Sequence, residues 1–365
     1  MTQLHKPIVI ERATAALKLM YVADALSMPV HWYYNPQDII KAFPGGIKKF
    51  EAAPKMHPSS IMSLHSTNAG GRGAQTSATE KEVVGDIILK GKRQFWGVAN
   101  QHYHQGLPAG ENTLNAYCAR LVTRTLTSHK GRYDANSFLE NYIAFMTSDT
   151  PLHPDTYAES YHRGFFANLI KGLPHTKCGA LTHDTASVGG LVTIAPIAIS
   201  ELLIDRSVPR VQALCLKHLF LTHPDAKLGK VCSAYVALID ALLFRDNDDT
   251  RNQIAITAQQ SAGVDLEKLL QKNLDDNEVI GRLFSKACYI DDSWPSLLYL
   301  AYKYLDTPKQ ALLTNTNLGG ENCHRGSVLG VLVGLATADS VDEFFSQLAH
   351  GPQIESELNT LIGNN

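Results

Sequence analysis

The sequence lacks a strong net charge, paired cysteine motifs and any long apolar run. Lys and Arg number 33 against 35 Asp and Glu, so the charge balance gives no reason to expect a nucleic-acid partner. The six cysteines are widely spread with no C-x-x-C pair, which argues against a disulfide framework or a zinc ribbon. The first 16 residues resemble no signal peptide, and the apolar stretch 328–336 is too short to span a bilayer. We therefore expect a cytoplasmic protein with no membrane partner.

Helical periodicity dominates what is present. Apolar residues recur at three- and four-residue spacing, the pattern of an amphipathic helix, in 10–26, 114–126, 138–146, 211–220, 231–244, 279–289 and 295–304. Ser293 is placed to cap the last of these, with Pro295 in its first turn. A final helix is predicted to begin near Cys323, with Gly326, Gly330 and Gly334 on one face where a neighbouring helix backbone can approach closely.

Strand-like alternation is scarce, and the run around 194–197 fits either a strand or a buried helix interrupted by proline. Three long loops are expected at 35–75, 101–112 and 173–190, and loops of this length in a compact domain are often functional. With no repeat and no linker, the sequence predicts one all-α domain over residues 1–365.

Five segments concentrate polar groups. Asp24 interrupts an apolar helical face, where a carboxylate is either a structural group or a pocket residue. Arg72, in a glycine-rich stretch, can meet a phosphate, although a surface turn explains it equally well. Glu111 and Asn112 begin a helix after a loop that carries His102 and His104, and plain helix capping is the alternative.

The last two segments lie further along the chain. His183 and Asp184, before Gly189 and Gly190, suit acid/base work or an Asx turn. The run 319–326 places Glu321, Asn322, Cys323, His324 and Arg325 at the start of a glycine-rich helix. Capping uses only one or two such side chains, which favours a functional site here.

Taken in order, these segments resemble the ADP-ribosylglycohydrolase family. Residues 23–31 are similar to its opening G-D-A-x-G-x-P-x-E helix, and 110–114 to its T-D-D-T motif. Residues 192–196 are similar to M-R-x-x-P, 222–225 to T-H-x-D, and 319–324 to G-G-D-T-D-T. The resemblance implies an all-α orthogonal bundle, a substrate that carries ADP-ribose, and a centre of two magnesium ions.

The departures from these motifs put the metal centre in doubt. By the resemblance, the paired Asp positions are Glu111 and Asn112, then Glu321 and Cys323, and His324 replaces a threonine. Two carboxylates remain to neutralise the formal charge of +4 that two magnesium ions bring. Mg²⁺ also favours oxygen ligands over Cys or His. We expect no metal or a single Mg²⁺, with Glu111, Asn112 and Glu321 as its candidate ligands; a softer metal on Cys323, His324 and a Glu is the alternative.

Three functions compete. The first is hydrolysis of a ribosyl glycosidic bond on an ADP-ribosylated protein or a related nucleotide. Glu111 or Glu321 would be the base, His324 or His183 the acid, and Asp24 an orienting group. His31, which stands where the family has an acid near the ribose, and Asn112, Asn322, Cys323, Gly189, Gly190 and Arg72 are the remaining candidate substrate contacts. The second function is binding of ADP-ribose without cleavage, and the third is a crystallin-like structural role.

Overall fold

The computed structural model describes residues 7–61, 83–95, 98–246 and 249–363. Across these ranges the chain is helical, and strand pairing is limited to isolated bridges such as Ser187 with Tyr289. The predicted all-α class is confirmed. The α-helices are α1 (Pro7–Ser27), α2 (Pro36–Ala42), α3 (Leu114–Ser128), α4 (Ala135–Thr147), α5 (Ser160–Ile170), α6 (Ile194–Ile204), α7 (Val208–Thr222), α8 (Ala226–Leu243), α9 (Thr250–Ala262), α10 (Leu266–Gln271), α11 (Asp276–Val279), α12 (Ile290–Lys303), α13 (Pro308–Leu318), α14 (Asn322–Thr337), α15 (Asp342–Phe345) and α16 (Gly351–Gly363).

Local sequence explains where several of these helices begin. The side chains of Asp134, Asp225, Asp265 and Asp275 each accept a hydrogen bond from a backbone N–H in the first turn of the helix that follows. Such caps satisfy N–H groups that have no partner within the helix. The short helix α2, inside a predicted loop, begins in the same way, with Asn35 as its cap and Pro36 as its first residue.

The helices α1 and α14 form the centre of the molecule, buried along most of their lengths. A methyl group added at Gly330 would lie 2.5 Å from the Leu19 carbonyl oxygen, and one at Gly334 would lie 2.6 Å from Ala16. The predicted close approach of a helix backbone to this glycine face is confirmed. It brings the first residues of α14 against the last turn of α1.

Three local predictions are wrong. The span 279–289 is mostly not helical: α11 ends at Val279, and Gly281, at a φ of +144°, turns the chain into a bridge between Ile280 and Phe284. Ser293 is no cap, because α12 begins at Ile290, so Pro295 falls in the second turn. The helix near Cys323 is not the last, since α15 and α16 follow it.

Most buried apolar side chains of the described residues form one connected cluster that extends from Val9 to Ile362, and two smaller clusters, around Tyr33 and around Met28, are separate from it. The ambiguous run 194–197 is the buried start of α6. Among the described residues, no helix combines the length and the apolar character needed to cross a bilayer.

Candidate active site

The site begins where two chain segments, 31–33 and 319–321, run side by side. Trp32 N–H donates to the Gly320 carbonyl, and Gly320 N–H donates to the Tyr33 carbonyl, both at 2.8 Å. Gly319 and Gly320 have positive φ angles, and a methyl group at Gly319 would lie 2.1 Å from the Tyr33 oxygen. Trp32 itself has a φ of +61°, rare for a bulky residue. This pairing sets His31 and Trp32 against Glu321.

A cavity of about 340 Å³ opens beside this junction, within the size range of small-molecule sites. Its walls combine aromatic rings with a few charged groups: Trp32, Tyr34, Tyr103, Tyr157, Tyr289, Glu159, Arg163, His183, Asp184 and Glu321. Glu321 is held here by its backbone N–H, which donates to the Lys286 carbonyl, and by the Trp32 indole N–H, which donates to Glu321 Oε2.

A chain of buried polar side chains leads from Asp155 to Glu321. Asp155 Oδ1 lies 2.8 Å from His104 Nδ1, and His104 Nε2 lies 2.8 Å from His31 Nδ1. His31 Nε2 lies 3.5 Å from Glu321 Oε1, the longest of these contacts. Asp155 is fixed in turn by backbone N–H groups of Leu114 and Thr156. The imidazole of His31 is therefore oriented toward Glu321 by two further side chains.

His324 lies between two carboxylates. Its Nδ1 contacts Glu321 Oε1, and its Nε2 lies 3.1 Å from Glu159 Oε1. Asn115 Nδ2 lies 2.9 Å from the same Nε2 and 3.1 Å from Glu159 Oε1. His324 is on the first turn of α14, Asn115 on α3 and Glu159 at the start of α5, so three elements distant in sequence meet at one ring.

The surroundings shift the pKa values of Glu159 and Glu321 in opposite directions. Burial raises the pKa of Glu159 to about 8, with the negative charges of Glu321 and Asp184 adding to the shift against the opposing charge of His324. Burial also disfavours the charged form of Glu321, but His324 and His31 outweigh it and lower its pKa well below the usual range. Burial also disfavours the charged form of His324, but the charges of Glu159 and Glu321 outweigh it and raise the pKa of His324 to about 9. For His31 burial dominates and lowers the pKa to about 3. Such divergent carboxylates are typical of acid and base pairs.

Comparison with known families matches residues 5–363 to the model of the ADP-ribosylglycohydrolase family. The chain belongs to the ADP-ribosylglycohydrolase family. A solved structure described as an ADP-ribosylglycohydrolase-related protein complex has the same fold, with a TM-score of 0.56 over 98% of this chain and 99% of that one, at 15% sequence identity. No curated protein sequence matches the chain. The predicted family and fold are thus confirmed.

Five of the residues predicted for this ADP-ribosylglycohydrolase site lie at the cluster or the cavity. Glu321, His324 and His31 are in direct contact, as described above. His183 lines the cavity, with its side chain 39% exposed and its Nε2 3.9 Å from Asp184 Oδ2. Gly189 lies against the cluster, since a methyl group there would be 3.3 Å from Glu159 and 3.4 Å from His324.

The helix N-termini at 110–115 and 319–325 do meet, but not through Glu111. Glu111 Oε1 accepts hydrogen bonds from Asn112 N and the Tyr117 hydroxyl, and Glu111 Oε2 lies 3.3 Å from His350. Glu111 is not among the residues that line the cavity. The contact between the two N-termini is instead the one between Asn115 and His324.

The other predicted residues hold the structure around the cluster. Asp24 accepts hydrogen bonds from Asn112 Nδ2, Thr113 N and Thr113 Oγ1 at 2.6–2.9 Å, and the Cys323 thiol lies 3.7 Å from the Asp24 carbonyl. Asn322 Nδ2 donates to the backbone carbonyls of Thr316 and Val30. Gly190 packs on His223, Leu219 and Leu228. Arg72 lies outside the described residues.

The contacts of these residues test whether the site fits the two magnesium ions that the ADP-ribosylglycohydrolase motifs imply. Of the residues at the motif positions, Glu111 faces Tyr117, Asn112 donates to Asp24, and Cys323 is buried against α1. Of these motif residues, Glu321 alone offers a carboxylate to the cluster, beside the nitrogen atoms of His31 and His324. The set does not fit two ions that prefer six oxygen ligands each.

Glu159, Asp155 and Trp32 were missed by reasoning from the sequence. Glu159 and Asp155 lie in the stretch between α4 and α5, which carries no glycine-rich motif and falls outside the segments singled out. One signal was present in the sequence: the histidines His102 and His104 lie close together in a loop, and such residues often pair with acidic side chains. Nothing in the sequence pairs that loop with Asp155.

Proposed function

We propose that this protein hydrolyses a ribosyl glycosidic bond in the cavity lined by Glu159 and Glu321. The observation that supports this is the pairing of a carboxyl group whose pKa is raised to about 8 with one whose pKa is depressed, both at one cavity. Glycoside hydrolysis uses such a pair, one group to protonate the departing atom and the other to act on water or the sugar.

The roles follow from the protonation states. Glu159 keeps its proton near neutral pH and donates it to the leaving group, while Glu321 is ionised and activates the attacking water. His324 separates the two carboxylates and positions both. His183, at the cavity wall and partly exposed, is the second candidate acid. Glu111 is not assigned a role here, because its side chain faces Tyr117 and His350.

The cavity walls suit an ADP-ribosyl group. The rings of Trp32, Tyr103 and Tyr157 pack edge to face, with ring centroids 4.6–5.2 Å apart, and form an aromatic surface on which a nucleobase can stack. Arg163 at the same cavity brings a guanidinium, which matches phosphate geometry. Family membership makes glycohydrolysis of ADP-ribosyl compounds the activity to test, and the identity of the leaving group stays open.

The test is release of ADP-ribose from ADP-ribosylated protein, followed by liquid chromatography. Glu321→Gln and Glu159→Gln are expected to lower turnover by roughly 10²- to 10⁴-fold each, the usual contribution of an acid or base. His350→Ala, which removes a His–Glu contact outside the cavity, is the matched control and is expected to keep its turnover.

Calorimetry with ADP-ribose separates the competing function. Tight binding by the wild-type protein with no product from any ADP-ribosyl substrate would contradict hydrolysis and support a binding protein. Unchanged turnover in Glu321→Gln would contradict the assignment of Glu321.

A further inference from the structure

His31, Glu321 and His324 each direct a donor atom toward one point next to the cavity. The three donor atoms lie within 4.8 Å of one another, and all three residues are at most 1% exposed. Two imidazoles and one carboxylate on a buried wall form a ligand set that zinc enzymes use, with a fourth position left for water or substrate.

The contacts of His31 fix the direction of its Nε2. Three close contacts join Asp155, His104, His31 and Glu321 in a chain. Asp155 already accepts two backbone N–H groups, so it takes the Nδ1–H of His104. His104 Nε2 lies 2.8 Å from His31 Nδ1, so the other nitrogen of the His31 ring, Nε2, is directed at Glu321 Oε1.

His324 supplies the third donor atom of the set. The pKa of His324 is raised to about 9, so near neutral pH its ring holds a proton on each nitrogen, one facing Glu159 at 3.1 Å and one facing Glu321 Oε1. An ion bound at Nδ1 would displace the Nδ1 proton, and the nitrogen and Glu321 Oε1 would move apart to bind it together. Glu321 Oε2 is occupied by the Trp32 indole, so Glu321 Oε1 is the oxygen that faces both nitrogens. One donor atom from each of the three residues thus faces the same point.

We propose that His31 Nε2, Glu321 Oε1 and His324 Nδ1 bind one divalent ion of the zinc class. The 3.5 Å between His31 Nε2 and Glu321 Oε1 is close to the roughly 3.3 Å that separates two ligands of a tetrahedral ion with bonds of ~2.0 Å. Two nitrogen donors favour Zn²⁺ or Co²⁺ over Mg²⁺.

The surroundings match what a bound ion requires of its second shell. Each imidazole donates its other N–H toward a carboxylate, His324 directly to Glu159 and His31 through His104 to Asp155. Such partners fix the ring and the tautomer of a metal-binding histidine. This inference does not depend on the proposed function, since the ion would bind whether or not the protein turns over a substrate.

The experiment uses untagged full-length protein, freed of metal with a chelator, incubated with Zn²⁺ or Co²⁺ and desalted. One ion per chain is expected by mass spectrometry of the metal, and the Co²⁺ form should show visible absorption bands of a four- or five-coordinate site. His31→Ala, His324→Ala and Glu321→Ala should each weaken binding by more than ~100-fold, and His104→Ala by ~10- to 100-fold. His350→Ala should bind as the wild-type protein does.

The wild-type measurement needs no variant to fold, and circular dichroism checks each variant. Retention of no Zn²⁺ or Co²⁺ by the wild-type protein would overturn the inference, as would equal binding by wild type and His324→Ala. Turnover by a metal-free wild-type enzyme would leave the proposed function intact, so the two failures are distinguishable.

Discussion

Replacing Gly330 with alanine is expected to destabilise the protein, although alanine is the better helix former. In an unobstructed helix the change gains about 1 kcal/mol. At Gly330 the new methyl carbon would lie 2.5 Å from the Leu19 carbonyl oxygen and 2.7 Å from its carbonyl carbon. Ordinary carbon–oxygen contacts are about 3.3–3.6 Å, so α1 and α14 must separate by roughly 1 Å.

The neighbouring atoms belong to the backbone of a buried helix, which cannot rotate away as a side chain can. Overpacking of a core costs typically 1–3 kcal/mol and sometimes more, and the separation extends along the central helix pair. Set against the gain of about 1 kcal/mol in helix propensity, we expect a net loss of roughly 1–2 kcal/mol in the free energy of unfolding. Because His324 and Glu321 are carried on the same end of α14, turnover should fall as well.

The assay is urea unfolding followed by circular dichroism. Gly363→Ala at the end of α16 is the control, because nothing lies within 4 Å of an added methyl group there; it should be neutral or slightly stabilising. A Gly330→Ala protein as stable as the wild type would refute the reasoning, since it would mean that α1 and α14 are not in backbone contact.

Two further predictions concern stability. Burial lowers the pKa values of His153, His218 and His223 to about 4, 3 and 4, so below pH 6.5 the unfolded chain binds protons that the folded chain does not. The free energy of unfolding should therefore fall as the pH drops from 6.5 toward 4, by up to ~1.4 kcal/mol per pH unit for each histidine; equal urea midpoints at pH 7 and pH 5.5 would argue against this. Asp24→Ala leaves three donors from Asn112 and Thr113 without an acceptor, and each costs about 1–3 kcal/mol. A variant with an unchanged melting temperature would show that water replaces the carboxylate.

Much of the architecture was readable from the chain alone because helices obey local rules. The apolar spacing of 10–26 and 231–244 predicts α1 and α8, and the glycine spacing in 326–334 predicts a close helix contact. The failures also have local causes. Capping by Asp275 and the turn at Gly281 limit α11 to four residues, although apolar spacing continues to Tyr289.

Only some of the site residues could be predicted from the sequence. Glu321 and His324 stood out because a buried helix has no need of five polar residues at its start. Glu111 looked equivalent from its position in a motif, yet its side chain faces His350. Glu159 carried no signal, because its importance comes from a partner more than 150 positions away.

The sequence by itself determined the helical class, the family and the segment that begins α14, because periodicity, capping and motif order are properties of neighbouring residues. Only the tertiary structure decided which acidic groups share the cavity and which way their pKa values shift. Those properties depend on burial and on distances of a few ångströms between atoms of α3, α5 and α14. No local pattern encodes such distances, because they result from the packing of the whole core.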